Sequence, residues 1–446
     1  MVSAFLIAFT FGVRREDLSQ CQGGLKWFLT GSERGMSTGF ATRVAYYISS
    51  AAEAGVMSTL LTGYAALNSH SAFCKVLNVL LCPLTPAVSL PSAVVRMCLN
   101  LFLNRINPQQ FICKDGNPKN QAVTQFVIGT MNGSQMPPPL PSMFDEFPLK
   151  SPSGEQRWLN VMNCVRDSEV HMCAYQEWGG ERQFPRHLNH IERLFGDPVT
   201  IVFGAGLSVA ISSMMGLSSR CAVHDTEWTS LPRASFGPQR VVNKGMLTTC
   251  FDIWWTQGHE HSEKQVQICF GTVHLTPTED DEVARWRQLE QVVTKFREFL
   301  LRREGNHAIL AGDFNMDDPV KAMRECSGAE GLTIEEADPD NDSNTWFSHD
   351  TRVDPRRLDH IILLHPQGEA SLRNSFDIKV EVRATGGTGW CRDTSDHKLV
   401  TATLARLDKG LFNVGQLSNP SPDQESSALL DDGIAKIEGE GSAPSC

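Results

Sequence analysis

The chain has 446 residues, of which 41% are hydrophobic, and a formal net charge of −11 at pH 7. This length allows two or three domains with a sizeable core, and the composition is that of a globular protein. The acidic balance argues against a protein that binds nucleic acid through a broad basic surface, although a local basic cleft is compatible with it.

The thirteen cysteines are odd in number and scattered, and none forms a Cys-x-x-Cys pair. No cluster of cysteine and histidine has the sequence spacing of a zinc site. We therefore expect mostly reduced thiols, which favours a reducing, cytoplasmic compartment. The apolar start of the chain has no basic residue before it, so a cleaved secretory signal is not favoured.

Two runs near the N-terminus, 54–74 and 76–95, carry no charged side chain and are separated by Lys75. Each run is long enough to span a bilayer as a helix. The second, however, contains three prolines, and the first has a polar segment at 68–71. Two interpretations stay open: a small helical domain with a Pro-rich connector, which we favour, and a membrane hairpin or membrane-contacting segment. We assign 1–120 to a mostly helical N-terminal region in which residues 54–95 are the candidate membrane contact.

From about residue 122 the sequence alternates between strand and helix patterns. A periodicity of 3.6 residues predicts helices over 155–169 and 283–303. Short apolar runs predict a hairpin at 199–213 and strands at 125–132, 170–177, 241–255, 266–275, 307–315, 357–364, 377–384 and 398–405. The proline-rich stretch 136–142 is excluded from both kinds of element. On the second helix we expect one side to be buried: Val283, Trp286, Leu289, Val292, Val293, Phe296, Phe299 and Leu300.

Many strands with intervening helices, several of them joined as neighbours, predict an α/β fold. The expected architecture is a four-layered α/β sandwich with two packed mixed β-sheets and helices outside, over residues 121–409. Beyond about residue 410 the chain is rich in Ser, Gly, Pro and acidic residues. Such a composition buries too little apolar surface to fold alone, so we predict a disordered acidic tail over 410–446.

Polar side chains stand at the predicted ends of several separate strands: Asn132, Glu177, His274, Asp313, Asn315, Asp359, Asp396 and His397. Gathered at one edge of the fold, they would form a pocket of carboxylates, amides and imidazoles. A hard divalent cation prefers oxygen ligands, and a phosphate ester needs a cation and hydrogen-bond donors. The pattern therefore favours metal-assisted chemistry on a phosphate ester.

Each carboxylate and amide has a proposed role. Glu177 is the principal predicted Mg²⁺ ligand, with Asn132 and Asp396 helping. Asp313 would take the proton from an attacking water. Asn315, which alternation along an extended strand would place on the same side, would hold that water or a phosphate oxygen. The last two residues are also favoured in turns, which is the ordinary structural explanation for them.

The imidazoles complete the predicted site. His397 and His274 would donate hydrogen bonds to phosphate oxygens in the transition state. Asp359 would fix the tautomer and charge of His397, although it could also simply pair with Arg356 or Arg357. Taken singly, each residue has such an ordinary explanation, and it is the complete set in one order that favours catalysis.

These motifs resemble those of the endonuclease/exonuclease/phosphatase superfamily, also called deoxyribonuclease I-like. The matching pieces occur in the family's order: GTMN (129–132), YQE (175–177), NKG (243–245), GTVHL (271–275), GDFN (312–315), RLDHIIL (357–363) and SDH (395–397). The resemblance covers about residues 122–408. It implies a four-layered α/β sandwich, Mg²⁺-dependent cleavage of a phosphate ester, and the site roles given above.

The subfamily stays open. NKG at 243–245 is similar to a stretch of inositol polyphosphate 5-phosphatases and neutral sphingomyelinases, and Lys244 would bind a second phosphate or a bilayer surface. Ser134 stands where base-excision-type nucleases tend to have a second carboxylate. Residues 344–346 are more sphingomyelinase-like, whereas 355–359 depart from the 5-phosphatase signature.

The sequence thus predicts a Mg²⁺-dependent phosphoesterase that acts on a phosphoinositide, an inositol phosphate or a sphingomyelin-type head group through in-line attack of water. Two alternatives stay open. One is an endonuclease or exonuclease of the same superfamily, with nucleic acid as the less favoured partner. The other is a non-catalytic, membrane-attached adaptor that retains the fold.

Overall fold

The structure is a computed structural model that describes residues 87, 90–95, 97–99, 111–114, 122–133, 154–178, 191, 199–204, 215–233, 243–257, 262–277, 281–303, 307–341, 343–347, 352–383 and 395–407. Most of the predicted N-terminal region 1–120, the stretch 136–142 and the predicted tail 410–446 lie outside these residues. None of the helices in the described part combines the length and the apolar character needed to cross a membrane.

Within the described residues, seven strands form the first sheet. In chain order they are β1 (Phe111–Lys114), β3 (Gln125–Asn132), β4 (Met172–Gln176), β5 (Thr200–Gly204), β6 (Met215–Ser219), β13 (Phe376–Arg383) and β14 (Leu399–Arg406). Their spatial order is β1-β5-β6-β4-β3-β14-β13. β3 and β4 run parallel, and the other neighbours pair antiparallel.

The second sheet also has seven strands: β2 (Ala122–Val123), β7 (Val223–Ser230), β8 (Gly245–Gln257), β9 (Ser262–His274), β10 (Ala308–Asp313), β11 (Leu332–Glu336) and β12 (Asp359–Pro366). Their order is β11-β12-β10-β9-β8-β2, and β7 pairs with β8. β9 and β10 run parallel, as do β2 and β8, so this sheet is mixed as well.

The α-helices that pack on the sheets are α1 (Gly154–Asp167), α2 (Glu282–Arg302) and the short α3 (Pro319–Arg324), and residues 90–95 and 97–99 are helical as well. The inner faces of the two sheets share one apolar core, to which Ile128 and Leu217 contribute from the first sheet and Phe270 and Ile361 from the second. The outer face of the first sheet packs with α1, and that of the second packs with α2. This arrangement confirms the predicted four-layered α/β sandwich.

Strand periodicity located most strands, but some boundaries differ. Of the hairpin predicted at 199–213, the first strand is present as β5, which pairs antiparallel with β1 and with β6, whereas residues 205–213 lie outside the described residues. The strand predicted at 241–255 begins at Gly245. The elements that were not predicted are β1, β2, β6, β7, β11 and α3.

The buried side of α2 also differs from the prediction at its N-terminal end. Val283 and Trp286 are 62% and 39% exposed, so their predicted burial is wrong. Gln288 is buried instead, and its side-chain amide donates to the carbonyl of Pro232 and to Thr276 Oγ1. A polar residue whose hydrogen bonds are satisfied can occupy a buried position, which an apolar pattern does not reveal.

Candidate active site

Strands of the second sheet deliver three predicted residues to one edge. β9 ends at His274 and β10 at Asp313, while β12 begins at Asp359. Asp313 pairs in register with His274 on one side and with Asp359 on the other. The parallel pairing of β9 with β10, and the antiparallel pairing of β10 with β12, therefore place the three residues side by side.

Asp313 is the point where side chains of both sheets meet. Asn132, the last residue of β3, donates from Nδ2 to Asp313 Oδ2 at 3.0 Å. The same oxygen lies 3.7 Å from His274 Nε2 and 3.8 Å from His397 Nε2. Asp313 is buried, and burial raises its pKa to about 6, against the opposing charge of His397 and with the support of Asp359. A buried carboxylate with such a pKa is suited to accept a proton near neutral pH.

His397 is held by Asp359. Its Nδ1 lies 2.7 Å from Asp359 Oδ2, which leaves Nε2 directed to Asp313. Burial by itself would lower the pKa of His397, but the negative charges of Asp359 and Asp396 raise it well above the ordinary value. The raised pKa favours the charged ring, with Nδ1–H donated to Asp359.

Thr345 holds the backbone at Asp359 in place. Its Oγ1 accepts hydrogen bonds from the backbone N–H groups of Leu358 and Asp359, both at 3.0 Å. Thr345 is fully buried. The ion pair formed by Asp359 is with His397, whereas Arg356 pairs with Asp317 and Arg357 pairs with Glu336.

Glu177 follows β4 on the opposing sheet and reaches the same pocket. Its Oε1 lies 3.6 Å from His274 Nε2. Glu177 has a φ of 49°, a left-handed conformation that is uncommon for a side chain of this size and that clusters at functional sites. Burial raises the pKa of Glu177 to about 7, against the charge of Lys244 and with the support of Asp396 and Asp313.

Lys244 brings a second positive charge to this pocket, beside that of His397, and is only 1% exposed. Its Nζ lies 3.0 Å from His274 Nε2. An ammonium group can only donate, so this ring nitrogen accepts and cannot at the same time donate to a phosphate oxygen. Burial and the charge of Lys244 hold the pKa of His274 well below its usual value. His274 could therefore donate to a phosphate oxygen, as predicted, only if Lys244 moved away. In the arrangement observed, Lys244 is the residue of this pair that can donate a hydrogen bond.

Asp396 belongs to a loop that is tied to the end of β3. Ser395 Oγ donates to the carbonyl of Asn132 at 2.7 Å and accepts from the backbone N–H of His397 at 3.1 Å. Asp396 Oδ2 accepts from Trp346 Nε1 at 3.1 Å. The three residues of the SDH motif therefore connect the first sheet to the segment that carries Thr345.

Asn315 does not lie on an extended strand, so the alternation argument for it is wrong. β10 ends at Asp313, and Asn315 has a φ of 53°. Its backbone N–H donates to Asp313 Oδ1 at 2.9 Å, and its side-chain Nδ2 donates to the carbonyl of Leu275 at 2.9 Å. Asp313 and Asn315 thus form a turn whose hydrogen bonds also orient the central carboxylate.

The donor set can be tested for a hard cation. Glu177, Asn132 and Asp396 carry oxygen atoms, which Mg²⁺ prefers. Burial and the neighbouring Asp396 and Asp313 raise the pKa of Glu177 despite the charge of Lys244, and a divalent cation in contact would add further positive charge beside that carboxyl. Asp313, Asp359 and His397 also place ligand atoms within 4.8 Å of one another. A protonated His397 has no lone pair for a metal, so the second set suits proton transfer better.

Three residues that the sequence analysis did not assign to the site hold its parts in place through hydrogen bonds: Gln176, Thr345 and Trp346. Gln176 Nε2 donates to Thr130 Oγ1 at 3.1 Å and to Thr272 Oγ1 at 2.9 Å, and so links the two sheets beside Glu177. The sequence signal for Gln176 was its place immediately before Glu177. Residues 344–346 were noticed only as a subfamily marker.

Comparisons with known proteins concern the fold. Neither a protein-family profile nor a curated protein matches the sequence. Three of the solved structures that match are truncated TDP2 of Caenorhabditis elegans, the human Nocturnin catalytic domain with bound sulfate, and an endonuclease/exonuclease/phosphatase family protein of Bacteroides thetaiotaomicron. Their identities to this chain are 14%, 11% and 16%, and each TM-score is 0.43.

The matches cover 64%, 65% and 63% of this chain, and 100%, 96% and 97% of the respective structures. One of the three bears the name of the superfamily that the motifs resemble. At these identities the similarity describes the fold alone, and the chemistry of the site comes from the side chains of this chain.

Proposed function

We propose that this chain is a divalent-metal-dependent hydrolase of phosphate esters. The observation that supports it most is the surrounding of one buried oxygen, Asp313 Oδ2, by Asn132 from one sheet, His274 from the other and His397 beside them, within 3.8 Å. A structural ion pair needs one partner, whereas a buried carboxylate that is approached by one amide and two imidazoles has the parts of an acid–base site.

The metal that the site favours is Mg²⁺. Glu177 would hold it, with Asn132 and Asp396 as further oxygen ligands. A bound Mg²⁺ would polarise a phosphoryl oxygen and offset the negative charge that develops on it. The raised pKa of Glu177, about 7, supports this assignment, because a cation in contact would return that carboxyl to its charged form.

The reaction proposed for the chain's own residues is in-line attack of water. Asp313 accepts one proton from the water as the water oxygen bonds to phosphorus, and the bond from phosphorus to the leaving oxygen breaks on the opposite side. The electron pair of that bond passes to the leaving oxygen, which takes up a proton from solvent. Asn132 holds Asp313 in place through the 3.0 Å hydrogen bond. His397, charged and kept so by Asp359, directs Nε2 into the pocket, where it can donate to a phosphate oxygen.

For the substrate we propose a phosphoinositide, an inositol phosphate or a sphingomyelin-type head group. Lys244 supports this class, since a buried ammonium group beside the acids provides a point charge for an additional phosphate. The net charge of −11 disfavours a long nucleic-acid contact. Nucleic acid is the alternative partner, and membrane contact through residues 54–95 is a proposal from the sequence.

The test compares purified full-length protein with its Asp313→Asn variant on a panel of phosphatidylinositol phosphates, soluble inositol phosphates, sphingomyelin, DNA and RNA. The proposal expects Mg²⁺-dependent hydrolysis of one lipid or inositol class, lost on chelation and reduced at least about 10²-fold in the variant. The exposed carboxylate of Asp377 on β13 provides the matched control, Asp377→Asn, which should retain full activity.

Cleavage of DNA or RNA alone would contradict the substrate proposal but keep the hydrolase. Failure to hydrolyse any ester, in folded protein with Mg²⁺, would favour the non-catalytic adaptor. Liposome flotation of the full chain, but not of residues 120–446, would support membrane contact. Equal flotation of the two proteins would contradict membrane contact through the N-terminal region.

A further inference from the structure

A second group of potential metal ligands lies at the other end of the second sheet from the site. Cys269 pairs in register with Ala308, the first residue of β10, whereas Asp313 is the last residue of that strand. Cys269 also pairs with Cys250 on β8, and Cys250 pairs with His224 on β7. Register partners project to the same face of a sheet, so an imidazole and two thiols form one row across three strands.

The two thiols are adjacent and buried. Cys250 Sγ and Cys269 Sγ lie 3.3 Å apart, and both belong to the apolar core between the second sheet and α2. A short distance between two sulfur atoms is what two thiolates that share one metal ion require. No hydrophobic packing requirement selects two cysteines at facing positions, because other small apolar residues would fill the space.

Asp225 joins this row through an irregularity of β7. The pairing of β7 with β8 shifts between His224 and Glu227, and Asp225 has a φ of 54°. In a regular strand the residue after His224 would point to the opposite face. Here the bulge brings Asp225 Oδ2 to 3.1 Å from His224 Nδ1. Ligand atoms of His224, Asp225 and Cys250 lie within 4.8 Å of one another.

Two further residues lie where outer partners of a metal site are found. Asp252 Oδ2 is 3.5 Å from His224 Nε2, and its buried Oδ1 has no hydrogen-bond partner in the described part of the chain. Arg303 Nη1 lies 3.1 Å from Asp225 Oδ1, which leaves Oδ2 on the side of His224. A metal-bound imidazole commonly donates its second N–H to a carboxylate, and a metal-bound carboxylate is itself hydrogen-bonded.

We propose that Cys250, Cys269, His224 and Asp225 bind a structural zinc ion. Zinc takes four sulfur, nitrogen and oxygen donors in a tetrahedral arrangement, and thiolates disfavour Mg²⁺. Both thiols release their protons on binding. The ion joins β7, β8 and β9, and it stabilises the bulge of β7 beside the end of α2. The sequence spacing of the ligands hides this site, because strand register brings them together.

The test uses full-length protein kept reduced, stripped of metal and then titrated with Zn²⁺ alone, or with Co²⁺ as an optical probe of thiolate ligation. It is carried out in a Glu177→Gln background, so that the metal of the proposed active site does not contribute. We expect one zinc ion per chain, a thiolate-to-Co²⁺ absorption band, and a rise in melting temperature on zinc binding.

Variants identify the ligands. His224→Ala, a change at a side chain that is 36% exposed, should abolish stoichiometric binding without unfolding the chain. Cys250→Ser should do the same, and Asp252→Asn should weaken zinc roughly 10- to 100-fold as the loss of an outer partner. Cys164→Ser, at a half-buried thiol of α1, is the matched control and should bind as the parent does.

Two results would overturn the proposal. Reduced parent protein that binds no zinc would show that the row is an ordinary arrangement of ion pairs and core residues. Zinc that binds equally well to His224→Ala would place the ion elsewhere. If Cys250→Ser fails to fold, the His224→Ala titration alone still decides between the two outcomes.

Discussion

The contact between Asp359 and His397 gives the sharpest prediction about the chemistry. Replacing Asp359 by Asn keeps the size of the side chain but removes the charge 2.7 Å from His397 Nδ1. Since burial by itself lowers the pKa of His397, and Asp359 is the largest influence that raises it, the pKa of the ring should fall in the variant and less of it should be charged. The transition state then loses a charge-assisted donor.

The expected loss follows from the strength of such donors. One preorganised hydrogen bond to developing charge contributes about 3–4 kcal/mol, which corresponds to a loss of roughly 10²–10³-fold in kcat. The alkaline limb of the pH–rate profile should also move to lower pH in the variant. In the parent, His397 contributes stability that is fully present below pH 6.5 and is lost as pH rises through its raised folded pKa, and the variant should lack this dependence.

The assay is the pH–rate profile of both proteins on whichever ester the substrate panel identifies, with melting temperatures measured across the same pH range. A matched control is Glu336→Gln. It removes a carboxylate 3.2 Å from the buried ring of His360, in the same sheet but outside the pocket, and should leave the profile unchanged. If Asp359→Asn retained activity within about threefold and the same alkaline limb, the assignment of His397 as a charged donor would be refuted.

Three further predictions concern other residues: two in or beside the pocket and one buried histidine of the first sheet. Lys244→Met should lower kcat/KM more for substrates with a second phosphate than for those with one, and equal losses would deny Lys244 a role in recognition. Trp346→Phe removes the 3.1 Å hydrogen bond to Asp396 and should raise the Mg²⁺ concentration needed for half-maximal rate roughly 10-fold; an unchanged requirement would remove Asp396 from the metal ligands. His171 has a pKa lowered to about 4 by burial and by Arg220, and its Nδ1 accepts from the backbone of Val127. The stability that the neutral ring supplies is complete above pH 6.5 and is lost as pH falls towards 4, by about 3 kcal/mol at most. In chemical denaturation, the free energy of unfolding of His171→Gln should therefore depend less on acid pH than that of the parent. Identical slopes for the two proteins would contradict the assignment.

Strand positions could be predicted because alternation and apolar runs report burial directly. β3 and β10 were found in this way, and each ended at the residue expected to matter, Asn132 and Asp313. That Asp313 and His274 are register partners could not be predicted, because pairing between strands depends on the complete sheet. The order of the motifs therefore predicted which residues form the site, and only the structure shows how they are arranged.

Backbone irregularities account for most of what the sequence did not reveal. Asn315 and Glu177 both have left-handed φ values, which neither strand nor helix periodicity indicates. The contact of Lys244 with His274 depends on a buried lysine, and a hydrophobicity pattern assigns such a residue to the surface. The row of His224, Cys250 and Cys269 joins residues of three strands in the same way, through register rather than spacing.

The central claim is that carboxylates and imidazoles from both sheets surround one cation and one phosphoryl group. It is tested most directly by a crystal structure of the full chain with Mg²⁺ and vanadate as a phosphoryl analogue. We predict Mg²⁺ on the carboxylate of Glu177, and vanadate between Asp313 and Nε2 of His397. Electron density that placed Glu177, Asp313 and His397 on separate surfaces, or the ion and the analogue away from all three, would contradict the account.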